Sequence, residues 1–132
     1  MSESADAWPE EALDYVQAIA DTKLMLGFRY AERMASGQSI EDDVANMNLA
    51  QEEFGHVRQL YELLSQQGRD RDWLEHDRDP GMYANAAPLD EPIPDWTTFV
   101  VVTGLVDRAA WLLTDAIAHE DLDGIREKIA QE

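Results

Sequence analysis

The chain has 132 residues, 45% of them hydrophobic, no cysteine, and 28 acidic against 10 basic residues, for a net charge of −18. That length holds one real core and not two. The charge excludes binding to nucleic acid or an anionic membrane through a basic footprint, and the missing cysteines exclude disulfides, thiolate metal sites and cysteine nucleophiles.

A surface this acidic, with Lys23 and Lys128 as the only lysines, reads as adaptation to a salt-rich cytoplasm rather than as a dedicated acidic binding function. No signal peptide is visible in the acidic, polar N-terminus. The most apolar stretch, Phe99 to Leu113, is interrupted by Thr103, Asp107 and Arg108 and is too short to span a bilayer. The expected location is the cytoplasm.

The first helix is predicted from Pro9, which suits a first turn, to Ala35, with Gly37 just beyond its end. Leu13, Val16, Ala20, Leu24, Gly27, Ala31 and Met34 form its apolar stripe at helical period. Ser39 then caps a second helix, with Asp42 three residues later, and that helix runs to Gln66 and stops at Gly68. The link is short, so the two helices pack antiparallel. Residues 69–95 carry Gly81 and the prolines Pro80, Pro88, Pro92 and Pro94 without sustained periodicity, with a short turn at Trp73 and Leu74.

A 27-residue helix is roughly 40 Å long, and a connection of this length runs back along it. The third helix, 96–118, then lies parallel to the second; it is the most apolar and the one expected to be most buried. A fourth, 122–132, is capped by Asp121, carries Leu122, Ile125 and Ile129 on one side, and is cut off at Glu132. The predicted fold is all-α: one domain, a ferritin-like four-helix bundle with a single long crossover between helices 2 and 3 and a truncated fourth helix.

The chemistry sits in Gln51-Glu52-Glu53-Phe54-Gly55-His56. Residues three apart share a helix face, so Glu53 and His56 project side by side into a stripe that also holds Leu49, Ala50, Val57, Leu60 and Leu64. Asp21 lies in the row of Leu24 and Phe28, and Asp107 stands in the most apolar helix. A buried carboxylate costs several kcal/mol unless it is paired or binds a metal. Carboxylates that converge with one imidazole suit iron or manganese.

A second explanation uses no metal: Lys23, near the first stripe, pairs with Glu53 or Asp107 in a buried salt bridge, and Asp107 has Arg108 beside it in sequence. His76 and His119 read as solvated or structural. Gly27, Gly55 and Gly104, each inside a helix, imply close helix approach or room for a ligand, with close packing the favoured cause.

Gln51–His56 and Gly104-Leu105-Val106-Asp107-Arg108-Ala109-Ala110 resemble the matching helices of the phenylacetic acid catabolism family, the catalytic and structural subunits of ring-1,2-phenylacetyl-CoA epoxidase within the ferritin-like superfamily. Ile40 to Leu64, with Gly68-Arg69-Asp70-Arg71-Asp72 after it, is similar to the structural subunit, which has lost the Glu-x-x-His ligands that stand here as Glu53 and His56. The resemblance covers most of residues 14–132.

It implies a non-haem di-iron monooxygenase acting on the ring of an aromatic acyl-CoA, with metal ligands Asp21, Glu53, His56 and Asp107. Glu53 would bridge the irons, His56 and Asp21 would complete one, and Asp107 would serve the other. Lys128 to Glu132 matches the opening of the family's fourth-helix motif, and the chain stops before its ligating Glu and His. The implied partners are a second copy or a paralogous subunit, and a reductase. Two rival readings share the fold: a non-catalytic structural subunit with a buried ion network in place of metal, and an iron-storage or ferroxidase protein, which would need cage assembly.

Overall fold

The structure, a computed structural model, describes residues 7–33, 37–91 and 93–118. Three long helices carry it: α1 (Glu10–Glu32), α2 (Ile40–Gln66) and α3 (Trp96–Ala118), and no strand occurs among the described residues. The predicted fourth helix, 122–132, lies outside them, as does His119.

Pro9 precedes α1 in extended conformation, and Glu10 and Glu11 place negative charge on the helix's positive end. α1 was predicted to Ala35; it ends at Glu32, with Arg33 already out of helical geometry and its carbonyl accepting from Asn46 Nδ2 at 3.2 Å. Ser39 Oγ accepts from the Asp42 amide at 3.2 Å and so starts α2. α2 stops where Gly68 takes φ 101°, which lets the Arg69 amide reach back to the Leu64 carbonyl at 3.0 Å.

The crossover climbs α1. Arg69 pairs with Asp14 at 2.6 Å, Arg78 with Asp21 at 2.7 Å, the Ala86 amide reaches Thr22 Oγ1 at 3.2 Å, and Arg29 donates to the Leu89 carbonyl at 2.7 Å. Arg33 donates to the Ile93 carbonyl at the top. Because these contacts rise together along both segments, α3 starts beside the C-terminal end of α1. The edge-on rings of Tyr30 and Phe99, 5.8 Å apart, mark that end, and Ile117 meets the cluster of Leu13 and Val16 at the other. α3 therefore runs antiparallel to α1 and parallel to α2, the order that a long crossover permits and a short one forbids.

One expectation about α3 is corrected. Its buried residues, Phe99, Thr103, Val106, Ala110 and Ile117, form a single stripe, whereas Leu105 is 67% exposed and Val101, Trp111 and Leu112 are about half exposed. Apolar composition did not translate into burial, because among the described residues α3 packs against α1 along one face. None of the helices is long and apolar enough to cross a membrane, among the described residues.

Candidate functional site

Two polar centres lie in the interior, and α1 supplies one residue to each. The first is built on Glu53 and His56, one helical turn apart on α2 as the three-residue spacing requires. Glu53 is 5% exposed. Lys23 reaches across from α1, its Nζ 3.5 Å from Glu53 Oε2 and 3.2 Å from His56 Nδ1. An ammonium only donates, so Nδ1 accepts and the ring proton resides on Nε2.

Burial pushes the Glu53 carboxyl up from its ordinary value; the Lys23 charge opposes this and the Asp107 charge adds to it. Glu53 Oε2 is in ionic contact with Lys23 yet has no hydrogen-bond partner among the described residues. The electrostatic demand of this carboxylate is therefore only partly met. Asp107 belongs to the same field: after burial, its charge is the next cause lifting the Tyr30 phenol to about 12. Asp107 itself is half-buried, at the border of the α3 stripe.

The second centre holds Asp21, wholly buried two residues before Lys23. Arg78 clamps it with both terminal nitrogens, Nη2 to Oδ1 at 2.7 Å and Nη1 to Oδ2 at 2.8 Å. Tyr61 Oη donates to Oδ1 at 2.6 Å and the Ala84 amide to Oδ2 at 2.9 Å. Each carboxylate oxygen thus accepts two bonds. Burial raises the Tyr61 phenol, and the adjoining Asp21 charge raises it further. Burial alone would lower the Arg78 guanidinium, but the bond to Asp21 and its charge outweigh this and the net shift is upward. The Tyr83 ring lies under the guanidinium, its centroid 3.9 Å away.

The expected ligands are thus gathered in part. Glu53 and His56 stand together, Asp107 acts on Glu53 electrostatically, and Asp21 is engaged elsewhere by Arg78. Tyr61, the α2 partner of Asp21, is eight residues beyond Glu53, a rise of about 12 Å. Among the described residues no three His, Asp or Glu side chains are grouped so as to hold a metal ion. Among the described residues the donor set, as it stands, does not suit a di-iron centre: an ammonium stands against both the carboxylate and the imidazole, and the first-helix acid has no lone pair to spare.

Sequence reasoning located Asp21 and weighed Lys23 but missed Arg78 and Tyr61. Arg78 sits in the aperiodic connection, and the one signal pointing to it was negative: an Asp on the apolar side of α1 with no cation three or four residues away on its own helix face, Lys23 being two residues on and turned elsewhere. The helical glycines separate by cause. A Cβ on Gly27 would lie 2.6 Å from a Phe54 ring carbon, so close packing requires glycine there, while Gly55 and Gly104 have nothing within 4 Å of that position.

Comparison with known proteins gives one result. The profile of a protein family described as "Phenylacetic acid catabolic protein" matches residues 1–132. No curated protein and no solved structure matches the chain significantly.

Proposed function

The chain belongs to the family of phenylacetic acid catabolic proteins and hence to phenylacetate catabolism, and from that premise we propose that it is a structural subunit of an oxygenase assembly acting on an aromatic acyl-CoA. In this reading it works beside a paralogous catalytic subunit, with a reductase supplying electrons to the assembly. The observation that carries the proposal is Lys23 Nζ lying 3.5 Å from Glu53 and 3.2 Å from His56. The ammonium there supplies the positive charge that carboxylates at a bundle centre otherwise draw from a metal. A buried pair of this kind holds two helices in register, which is what a subunit needs when its task is to present a fixed surface.

One observation favours the second reading, a di-iron monooxygenase subunit using Glu53, His56 and Asp107. Glu53 Oε2 is buried without a hydrogen-bond partner among the described residues, as an oxygen kept for a cation would be. Asp21 would have no part in it, and Lys23 would have to withdraw.

Metal content decides between them. The chain is incubated anaerobically with ferrous iron, desalted and assayed for bound iron, alone and together with any subunit that co-purifies. The structural reading expects no stoichiometric iron in this chain, and iron unchanged in Lys23→Ala. About two irons per chain, abolished by Glu53→Ala, would establish the oxygenase reading instead.

A further inference from the structure

We propose that two copies of this chain pair back to back through α3, antiparallel about a two-fold axis, along a seam of Val101, Leu105, Arg108, Leu112 and Asp115. These residues follow one another at spacings of four, three, four and three, the alternation with which helices interlock in coiled coils. All five are exposed. Val101, Leu105, Arg108 and Leu112 each stand two positions after a residue of the buried stripe, Phe99, Thr103, Val106 and Ala110, which is about 200° round the helix. The seam is therefore the back of α3, turned away from α1. A further helix of the same bundle would pack beside α3, a quarter-turn from its contact with α1, and would leave this back open. Its cover comes from another molecule.

Charge identifies that molecule. α3 is the least charged of the three helices, with Asp107, Arg108 and Asp115 as its only charged residues. In a chain of net charge −18 it is the helix along which a second copy meets least repulsion. Arg108 and Asp115 stand two turns apart on the seam, with Leu112 between them. A parallel contact would set like charge against like. An antiparallel two-fold contact instead brings each copy's Arg108 within reach of the other's Asp115, and Leu105 and Leu112 meet across the axis. The Arg108 guanidinium lies over the Trp111 ring, 4.6 Å from its centroid, which holds the cation at the seam's edge.

The seam spans about 20 Å, short for a permanent dimer, so the association is reversible and micromolar. It includes none of Lys23, Glu53, His56 and Asp107. The inference therefore stands whether or not iron binds at Glu53, and under either functional reading.

Sedimentation equilibrium of the full chain tests this, at about 0.15 M salt, where charges more than about 8 Å apart are screened and contact pairs are not. The expected result is a concentration-dependent rise from the chain's 15.0 kDa to twice that mass. Leu105→Glu should weaken the dimer by about tenfold or more. Leu105 is largely exposed, so the variant should keep the parent's helical circular dichroism. Arg108→Asp and Asp115→Arg should each weaken the dimer severalfold, and the double variant, which exchanges the two charges, should recover most of the loss. A chain that stays monomeric at every concentration, including one that recruits a different protein through this seam, would overturn the proposal. So would a dimer indifferent to Leu105→Glu, or a charge exchange no better than the single variants.

Discussion

Asp21 and Lys23 sit two residues apart on α1, both buried, and their surroundings differ completely. Asp21 has four donors for its two oxygens, a stacked guanidinium and no exposed surface. Lys23 faces one imidazole nitrogen and one carboxylate oxygen that, among the described residues, has an ionic contact but no hydrogen bond. A buried charge with every lone pair matched ties the crossover to the bundle and has no capacity left for chemistry. A buried charge matched only in part keeps electrostatic demand in reserve, and that is where a further cation, or a change of state, finds a place.

The sharpest way to break this contrast is to unbalance the satisfied centre. Arg78→Met leaves Asp21 as an uncompensated buried carboxylate and is expected to cost about 3–5 kcal/mol, read in denaturant unfolding. A loss below about 1 kcal/mol would mean that water enters and the clamp is not the crossover's anchor. Packing gives the next effect. Gly27→Ala drives a methyl into the Phe54 ring and is expected to cost about 1–3 kcal/mol, whereas Gly55→Ala, with open space around it, should gain up to about 1 kcal/mol. Equal effects at the two positions would remove close approach as the reason for Gly27.

A pH titration sharpens the role of Asp107. Tyr30 is raised from 10.0 to about 12 by burial first and by the Asp107 charge second. Between those values the unfolded chain has released the phenolic proton and the folded one retains it. Stability therefore falls as pH rises through this window and levels off above it. Tyr30→Phe should make the alkaline decline shallower, and Asp107→Asn should move its end to lower pH; an unchanged profile in Tyr30→Phe would contradict the assignment. The smallest effect belongs to the half-exposed Arg71 with Glu62 and Glu75, where Arg71→Ala should change stability by about 1 kcal/mol or less.

Much of this was written in local sequence. Ser39 and Gly68 fixed the ends of α2 through a hydroxyl cap and a left-handed turn, and the three-residue spacing set Glu53 beside His56. These depend on neighbours within one turn. The Asp21 clamp was illegible because Arg78 lies 57 positions away in a segment without period, and only the climb of the crossover along α1 brings it in. The exposure of Leu105 and Trp111 was hidden for a similar reason: composition records how apolar a helix is and is silent about how many of its sides are covered. For Lys23 the sequence left two outcomes open, and the length of its side chain, reaching across to α2, chose one.

The most direct test reads Lys23 itself. With Lys23 and Lys128 the only lysines, the ¹⁵N spectrum of lysine ammonium groups holds at most two signals, and Lys23→Gln assigns one of them. The expected result is a Lys23 ammonium that exchanges with solvent far more slowly than free lysine and persists when ferrous iron is added. An ammonium that exchanges as fast as free lysine, or is broadened away by added iron, would contradict the placement of that charge between Glu53 and His56.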